Sequence, residues 1–402
     1  MEQVVAGPPG SSNRVHSTVP LPPEENPIHP SADQEGREAL ARHYSRTKLW
    51  LGFAGTVYVF ILTLVFLVGG FSKSLDQYTH RYVSNDYWAL LLFVLVVGIA
   101  ETILVGPLSY YSGYYLEHKY GLSNQTFRGW MVEGLKSMAI SIPIGLPVLL
   151  FFFYCLKTFG TEWWLPVGAI LFLVSVVLAR LAPVLLFPLF YKFTPLDEGA
   201  IREKILALCR RVGIRVEGVF TFNLSKNTKK ANAAFTGIGK SKRIILGDTL
   251  IQNFNDEEIE TIFAHELGHY KMKHIWVMMA VGTLNSFLGL YLTAQLYAVS
   301  LSWLGFTRPD QIGALPLLTL WLGLYSLVSS PINNHISRLN EFSADRYAVQ
   351  ITGRKEDFIN ALNKLAKINL AETTPPAIVE FFFHSHPSIE KRIRAIESMN
   401  TG

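Results

Sequence analysis

The chemistry this chain can do is concentrated in His265-Glu266-Leu267-Gly268-His269. On a helix, positions i and i+4 share a face, so His265 and His269 can hold one Zn²⁺ between them. Glu266 then stands within reach of a water on that ion and can take its proton. A hydrolytic zinc needs a third protein ligand and an open coordination position, and that ligand must come from elsewhere in the chain. Glu341, in Glu341-Phe342-Ser343-Ala344-Asp345, is the best candidate. Glu341 and Asp345 also stand at i and i+4, so one carboxylate can bind metal while Asp345 takes the spare N–H of a ligand histidine. The competing reading is a solvated acidic face balanced by Arg338 and Arg346. His386, in His384-Ser385-His386-Pro387, and Arg392 six residues later could stabilise charge on a carbonyl oxygen. Alone, that stretch reads as a loop ending in a basic amphipathic helix. His274, five residues after His269, points off the ligand face and reads as structural. Nothing in the spacing of His335 favours a ligand, and His16, His29, His43, His80 and His118 lie in tails or loops.

The elements that position these groups can be read outward from the motif. Asn255 followed by Asp256, Glu257 and Glu258 is an N-cap with a capping-box glutamate and an acidic first turn. Ile259, Ile262 and Phe263 then fall on a helical stripe. Gly268 weakens the helix by about 1 kcal/mol but leaves room for a third ligand to approach. The pattern predicts a helix running on through His274 into an apolar stretch, which sets the metal at a membrane boundary.

That boundary is predicted from composition and hydropathy. Half of the 402 residues are hydrophobic, 17% are charged and 13% aromatic, and the mean hydropathy is +0.25. Soluble chains are about one quarter charged. Disordered, coiled-coil and collagen-like chains are excluded, and two cysteines outside any C-x-x-C exclude a disulfide framework or a finger-type zinc. A net charge of +5 does not point to nucleic acid, because the basic residues flank apolar stretches and no nucleic-acid module is present. A span needs roughly 20 apolar residues. Six stretches qualify: about Leu49–Phe71, Tyr87–Tyr110, Met138–Leu156, Trp164–Phe190, His274–Leu301 and Gly313–Pro331. Arg37, Arg42, Arg46 and Lys48, then Lys119, Arg128 and Lys136, then the basic residues after spans four and six, all fall on one side. Both termini are therefore expected in the cytoplasm, and the sequons at Asn124 and Asn223 are expected to carry no glycan.

The expected architecture is an all-α polytopic membrane protein of about six transmembrane helices with a small α+β zinc-peptidase portion. A disordered tail occupies 1–40, membrane helices one to four 41–190, a catalytic segment with the HELGH helix 191–273, helices five and six 274–331, and a second catalytic segment 332–402. Glu101 and Arg180 lie inside spans, where charges are paired or face a wet cavity.

An ordered set of further motifs resembles the type I CAAX prenyl proteases, integral membrane zinc metallopeptidases. They are Glu117-His118-Lys119-Tyr120-Gly121 with Gln125-Thr126, Pro188-Leu189-Phe190-Tyr191-Lys192-Phe193-Thr194-Pro195-Leu196, Asn232-Ala233-Ala234-Phe235, Lys242-Arg243-Ile244-Ile245-Leu246 with Asp248-Thr249-Leu250, and Ser385-His386-Pro387. With HELGH and Glu341–Asp345 they cover roughly Ala41 to Ile396. The resemblance implies tilted helices around an internal water-filled chamber, one zinc per chain, and removal of the C-terminal tripeptide of prenylated substrates. It matches His265, His269 and Glu341 to the ligands, Glu266 to the general base, Asp345 to the acid behind them, and His386 and Arg392 to the groups beside the scissile carbonyl. Asn232 and Ala234 match the strand that holds the substrate backbone, as extended peptides commonly bind by strand addition. The chain lacks the additional N-terminal span and the long insertion before HELGH of eukaryotic members. Its compact form resembles bacterial ones, implying a bacterial inner membrane, or the endoplasmic reticulum for a eukaryotic source. Partners so implied are peptide or protein substrates, prenylated or membrane-associated, and the bilayer; the sequence gives no oligomeric state. The alternatives are an HtpX-like quality-control protease and a non-catalytic membrane scaffold, against which an intact Glu266 argues. A site-2 type protease lacks its Asn-Pro…Asp-Gly setting here.

Overall fold

The computed structural model describes residues 30–236 and 243–399. Its helices are α1 (Pro30–Val68), α2 (Phe71–Tyr82), α3 (Asp86–Tyr110), α4 (Leu116–Lys119), α5 (Phe127–Phe159), α6 (Trp164–Leu181), α7 (Phe187–Phe190), α8 (Ala200–Arg211), α9 (Asp248–Asn253), α10 (Asp256–Lys271), α11 (His274–Ser300), α12 (Leu315–Thr352), α13 (Lys355–Asn369), α14 (Ala377–Phe383) and α15 (Ile389–Glu397). Strands β1 (Phe193–Pro195), β2 (Gly218–Phe222), β3 (Ala233–Thr236) and β4 (Arg243–Gly247) form one sheet in the order β1-β2-β4-β3.

Among the described residues, five helical runs are long and apolar enough to cross a membrane: Gly36–Val68, Asp86–Lys119, Phe127–Phe190, His274–Leu304 and Ile312–Thr352. The six expected stretches fall on them, the third and fourth sharing the run Phe127–Phe190 and the first overrunning Val68 to Phe71, the first residue of α2. That run folds back at Gly160, whose φ of 56° is a left-handed value that favours glycine. Two boundaries differ from expectation. Helix α1 begins at Pro30, so 30–40 is helix rather than tail, with proline at the first position, where its missing N–H costs nothing; residues 1–29 lie outside the described residues. The link after span one is the helix α2 rather than a plain loop.

One apolar cluster gathers Leu67 of α1, Cys155 and Leu156 of α5, Val167 of α6, Leu290, Ala294 and Tyr297 near the end of α11, Leu301 just beyond it, and Leu317, Leu318 and Leu320 of α12. A second joins Ala89, Leu90 and Phe93 of α3 to Phe153 of α5. Span ends and span starts alternate in these clusters, as expected for a chain threaded back and forth. Away from this end the helices separate. Residues 99–104 of α3 and 134–139 of α5 are exposed without a break. Six consecutive residues circle a helix completely, so these turns are exposed all round, with Tyr58 of α1 donating to the Leu104 carbonyl at 3.4 Å across an otherwise open space. Glu101 and Arg180 are both exposed and form no ion pair with each other.

The other end carries the peptidase portion. Its core is built from Ile205 and Leu208 of α8, Ile244 and Leu246 of β4, Ile259, Phe263 and Leu267 of α10, Ala348 of α12, and Phe358 and Leu362 of α13. Fully burying an Ile, Leu or Phe stabilises by roughly 1.5–3 kcal/mol. Strand β4 is buried in the sheet centre, and β3 pairs with it antiparallel, Ala234 opposite Ile245. Glu117, at the end of α4, ties this portion to the membrane helices by bonding Lys48 and Tyr44 of α1 and pairing with Lys230 at 2.9 Å, just before β3.

Candidate metal centre

Helix α10 starts as predicted. The Asn255 side chain accepts from the Glu258 N–H at 2.8 Å, and the Glu258 carboxylate accepts from the Asn255 N–H at 2.9 Å. Ile259, Phe263 and Leu267 face the core, which turns His265 and His269 towards α12. Helix α12 crosses the membrane portion and continues without a break past Pro331 to Thr352, delivering Glu341 and Asp345. The two helices meet at Gly268, where a Cβ would lie 3.2 Å from Ala344 Cα and 3.3 Å from its carbonyl oxygen.

The expected ligands come together. One nitrogen of His265, one of His269 and a carboxylate oxygen of Glu341 all lie within 4.8 Å of one another. The two Nε2 atoms are 3.2 Å apart, and Glu341 reaches His269 Nε2 at 3.2 Å and His265 Nε2 at 3.4 Å. Asp345 is fully buried, and its Oδ1 takes the other nitrogen of His265 at 2.8 Å. Glu341 Oε2 is buried and receives no hydrogen bond of proper angle, although His386 Nδ1 is 3.0 Å away. Such an orphaned oxygen, beside two imidazole nitrogens on the same face, belongs to a converging set of lone-pair donors. The set fits a divalent cation of the zinc type. Burial by itself pushes the His265 imidazole down, but the hydrogen bonds to Asp345 and Glu341 outweigh it and raise the group from 6.5 to about 9.

Glu266 is half-buried, and its carboxylate is engaged by no donor among the described residues. His386 is exposed over 65% of its side chain and reaches the centre from the loop after α14. Arg392 is buried and grips Asp345 with Nε at 2.9 Å and Nη2 at 2.6 Å, so its guanidinium braces the acid behind His265, while its Nη1 lies 3.7 Å from Glu341 Oε2. Asn232 and Ala234 lie at and just before the outer strand β3, which runs alongside α10; the Asn232 carbonyl accepts from the Gly247 N–H at 2.9 Å.

The solvated acidic face balanced by Arg338 and Arg346 is not found, since Glu341, Asp345 and Arg338 are buried and only Arg346 is exposed. Arg338 is buried and donates to the carbonyls of Glu380 at 2.9 Å and His384 at 2.7 Å, clamping the end of α14 ahead of His386. The predicted run of the motif helix through His274 fails as well. The chain breaks at Met272 and Lys273, and Lys273 takes a left-handed φ of 59°. The break folds His274 back so that its Nδ1 lies 3.1 Å from His269 Nδ1. No glycine or proline marks it in the sequence.

Comparison with known proteins accounts for both portions. The family model for peptidase family M48 matches residues 195–400, and the model for the CAAX prenyl protease N-terminal region with five membrane helices matches 20–192. An uncharacterized metalloprotease, YhfN, of Bacillus subtilis is 34% identical over 363 residues, covering 89% of this chain and 85% of its own. CAAX prenyl protease 1 of Saccharomyces cerevisiae is 29% identical over 388 residues, with the same two coverages. The crystal structure of S. mikatae Ste24p superimposes with a TM-score of 0.81 at 30% identity, over 95% of this chain and 92% of that one. A peptidase match over half the chain and a membrane-helix match over most of the rest leave one assignment: the chain belongs to peptidase family M48 and is an integral membrane metallopeptidase.

Proposed function

We propose that this protein is a zinc endopeptidase that cleaves near the C-terminus of prenylated, membrane-attached substrates, with one zinc held by His265, His269 and Glu341. The observation that carries the reading is a half-buried Glu266, close enough to feel the charge of Arg392 yet bonded by no donor among the described residues, beside three converging lone-pair groups. Zinc, when bound, supplies the Lewis acid that makes water a nucleophile near neutral pH and polarises a carbonyl. Glu266 accepts a proton from that water and returns it to the leaving amine. His386, exposed in its loop 3.0 Å from Glu341 Oε2, donates to the oxygen on which charge develops. Asp345 and Arg392 hold His265 in place. The outer edge of β3, at Asn232 and Ala234, accepts the substrate backbone as an added strand. The substrate class rests on the likeness to the yeast CAAX prenyl protease and to Ste24p. The distribution of basic residues supports a cytoplasmic position for both catalytic segments.

The test is cleavage of a farnesylated CAAX peptide by the purified, detergent-solubilised protein, beside Glu266→Ala and a chelator-treated sample. Expected is cleavage by the wild type, lost in both controls, with Glu266→Ala keeping its zinc. Wild-type rates in Glu266→Ala would sink the mechanism. Stoichiometric zinc without cleavage would discard the prenyl substrate and direct the search to unprenylated membrane proteins.

A further inference from the structure

We infer that His274 and Ser343 form a hydrogen-bond relay that fixes the tautomer of His269 and leaves its Nε2 as the metal-facing lone pair. The inference rests on the ligand set proposed above. It follows from counting donors. Ser343 Oγ lies 2.8 Å from the Asn340 carbonyl, which can only accept, so the hydroxyl donates there. The same oxygen lies 3.1 Å from His274 Nε2. With its one proton committed, it accepts, and His274 Nε2 carries a hydrogen. In its neutral form the imidazole has a single N–H, here on Nε2. His274 Nδ1 is therefore an acceptor, and its neighbour at 3.1 Å, His269 Nδ1, is the donor. His269 Nε2 is left bare, 3.2 Å from both Glu341 Oε1 and His265 Nε2.

The relay exists because α10 and α11 are separate. In one unbroken helix, residues five apart stand about 140° round the axis from each other, too far for the rings to meet. The left-handed Lys273 supplies the turn. The relay also makes the two ligand histidines unequal. His265 is backed by the carboxylate of Asp345, His269 by a neutral ring and a hydroxyl. Because Ser343 lies on α12 between Glu341 and Asp345, that one helix supplies a ligand and the support behind both histidines.

The experiment is Zn²⁺ affinity of the metal-free, full-length, solubilised protein, measured by competition with a chromophoric chelator. His274→Ala is expected to weaken binding about 10–100-fold, the usual cost of losing a partner behind a ligand histidine. His274→Gln, whose amide oxygen can accept from His269 Nδ1, recovers most of that loss. Ser343→Ala costs less, and the double variant binds no worse than His274→Ala alone, because Ser343 acts through His274. Unchanged affinity in His274→Ala, or a Ser343→Ala loss that adds in full to the double variant, would overturn the relay. A wild type that takes up no zinc would instead overturn the ligand set. Circular dichroism melts of the metal-free variants separate folding from binding, and His274→Gln serves where His274→Ala does not fold.

Discussion

Asp345 binds no metal in this arrangement, yet two parts of the centre depend on it. Its carboxylate is shared between His265 Nδ1 and the Arg392 guanidinium, and all three side chains are buried. Removing it strands a buried positive charge, which costs about 3–5 kcal/mol. Asp345→Ala should therefore lower the unfolding midpoint of the metal-free protein as well as weaken zinc binding. A midpoint that drops in the loaded protein alone would show that Asp345 serves the metal and not the packing. The convergence of His265, His269, Glu341 and Asp345 was legible because 265/269 and 341/345 are each separated by helical spacing, and that spacing fixes a common face. Arg392 and His386 were legible as residue types, but not in their direction. They follow a loop, whose path depends on what Arg338 clamps.

Between elements, the controlling contact is the crossing of α10 and α12 at Gly268. An alanine there gains about 1 kcal/mol of helix propensity, but its Cβ meets Ala344 Cα at 3.2 Å and Tyr347 Cβ at 3.3 Å, neither of which is a flexible end. Helix α12 has to give way, carrying Glu341 with it. Gly268→Ala is expected to bind zinc more weakly while its helix content is undiminished; equal affinity would mean that the two helices slide without disturbing the ligands. The close approach was readable from the glycine inside the motif. The break at Met272–Lys273 was not, because nothing in Tyr270-Lys271-Met272-Lys273 opposes a helix. Hydropathy placed the spans, and the capping box placed the start of α10. The strand order β1-β2-β4-β3 was beyond reach, since pairing between short segments leaves no periodic trace.

Across the whole molecule, metal and proton compete for one buried imidazole. Raised from 6.5 to about 9 in the metal-free fold, His265 lends that fold stability in full below pH 6.5 and loses it as pH climbs towards 9. Metal-free protein should therefore lose thermal stability across this window, and zinc affinity should rise over the same range as the competing proton leaves. Unfolding midpoints with and without chelator between pH 6 and 9 check both; a flat metal-free profile would show that His265 is neutral there. The proposed ligands also belong to different stages of synthesis. His265 and His269 lie on α10, Glu341 on α12, and between them the chain makes a complete return trip through the membrane portion along α11 and the first part of α12. A nascent chain that has inserted everything up to α11 holds two histidines and no centre. Catalytic competence thus arrives late and in one step, after the last long apolar helix is in place. A half-made copy is chemically silent towards its own loops and towards neighbours being inserted beside it, with no pro-segment required.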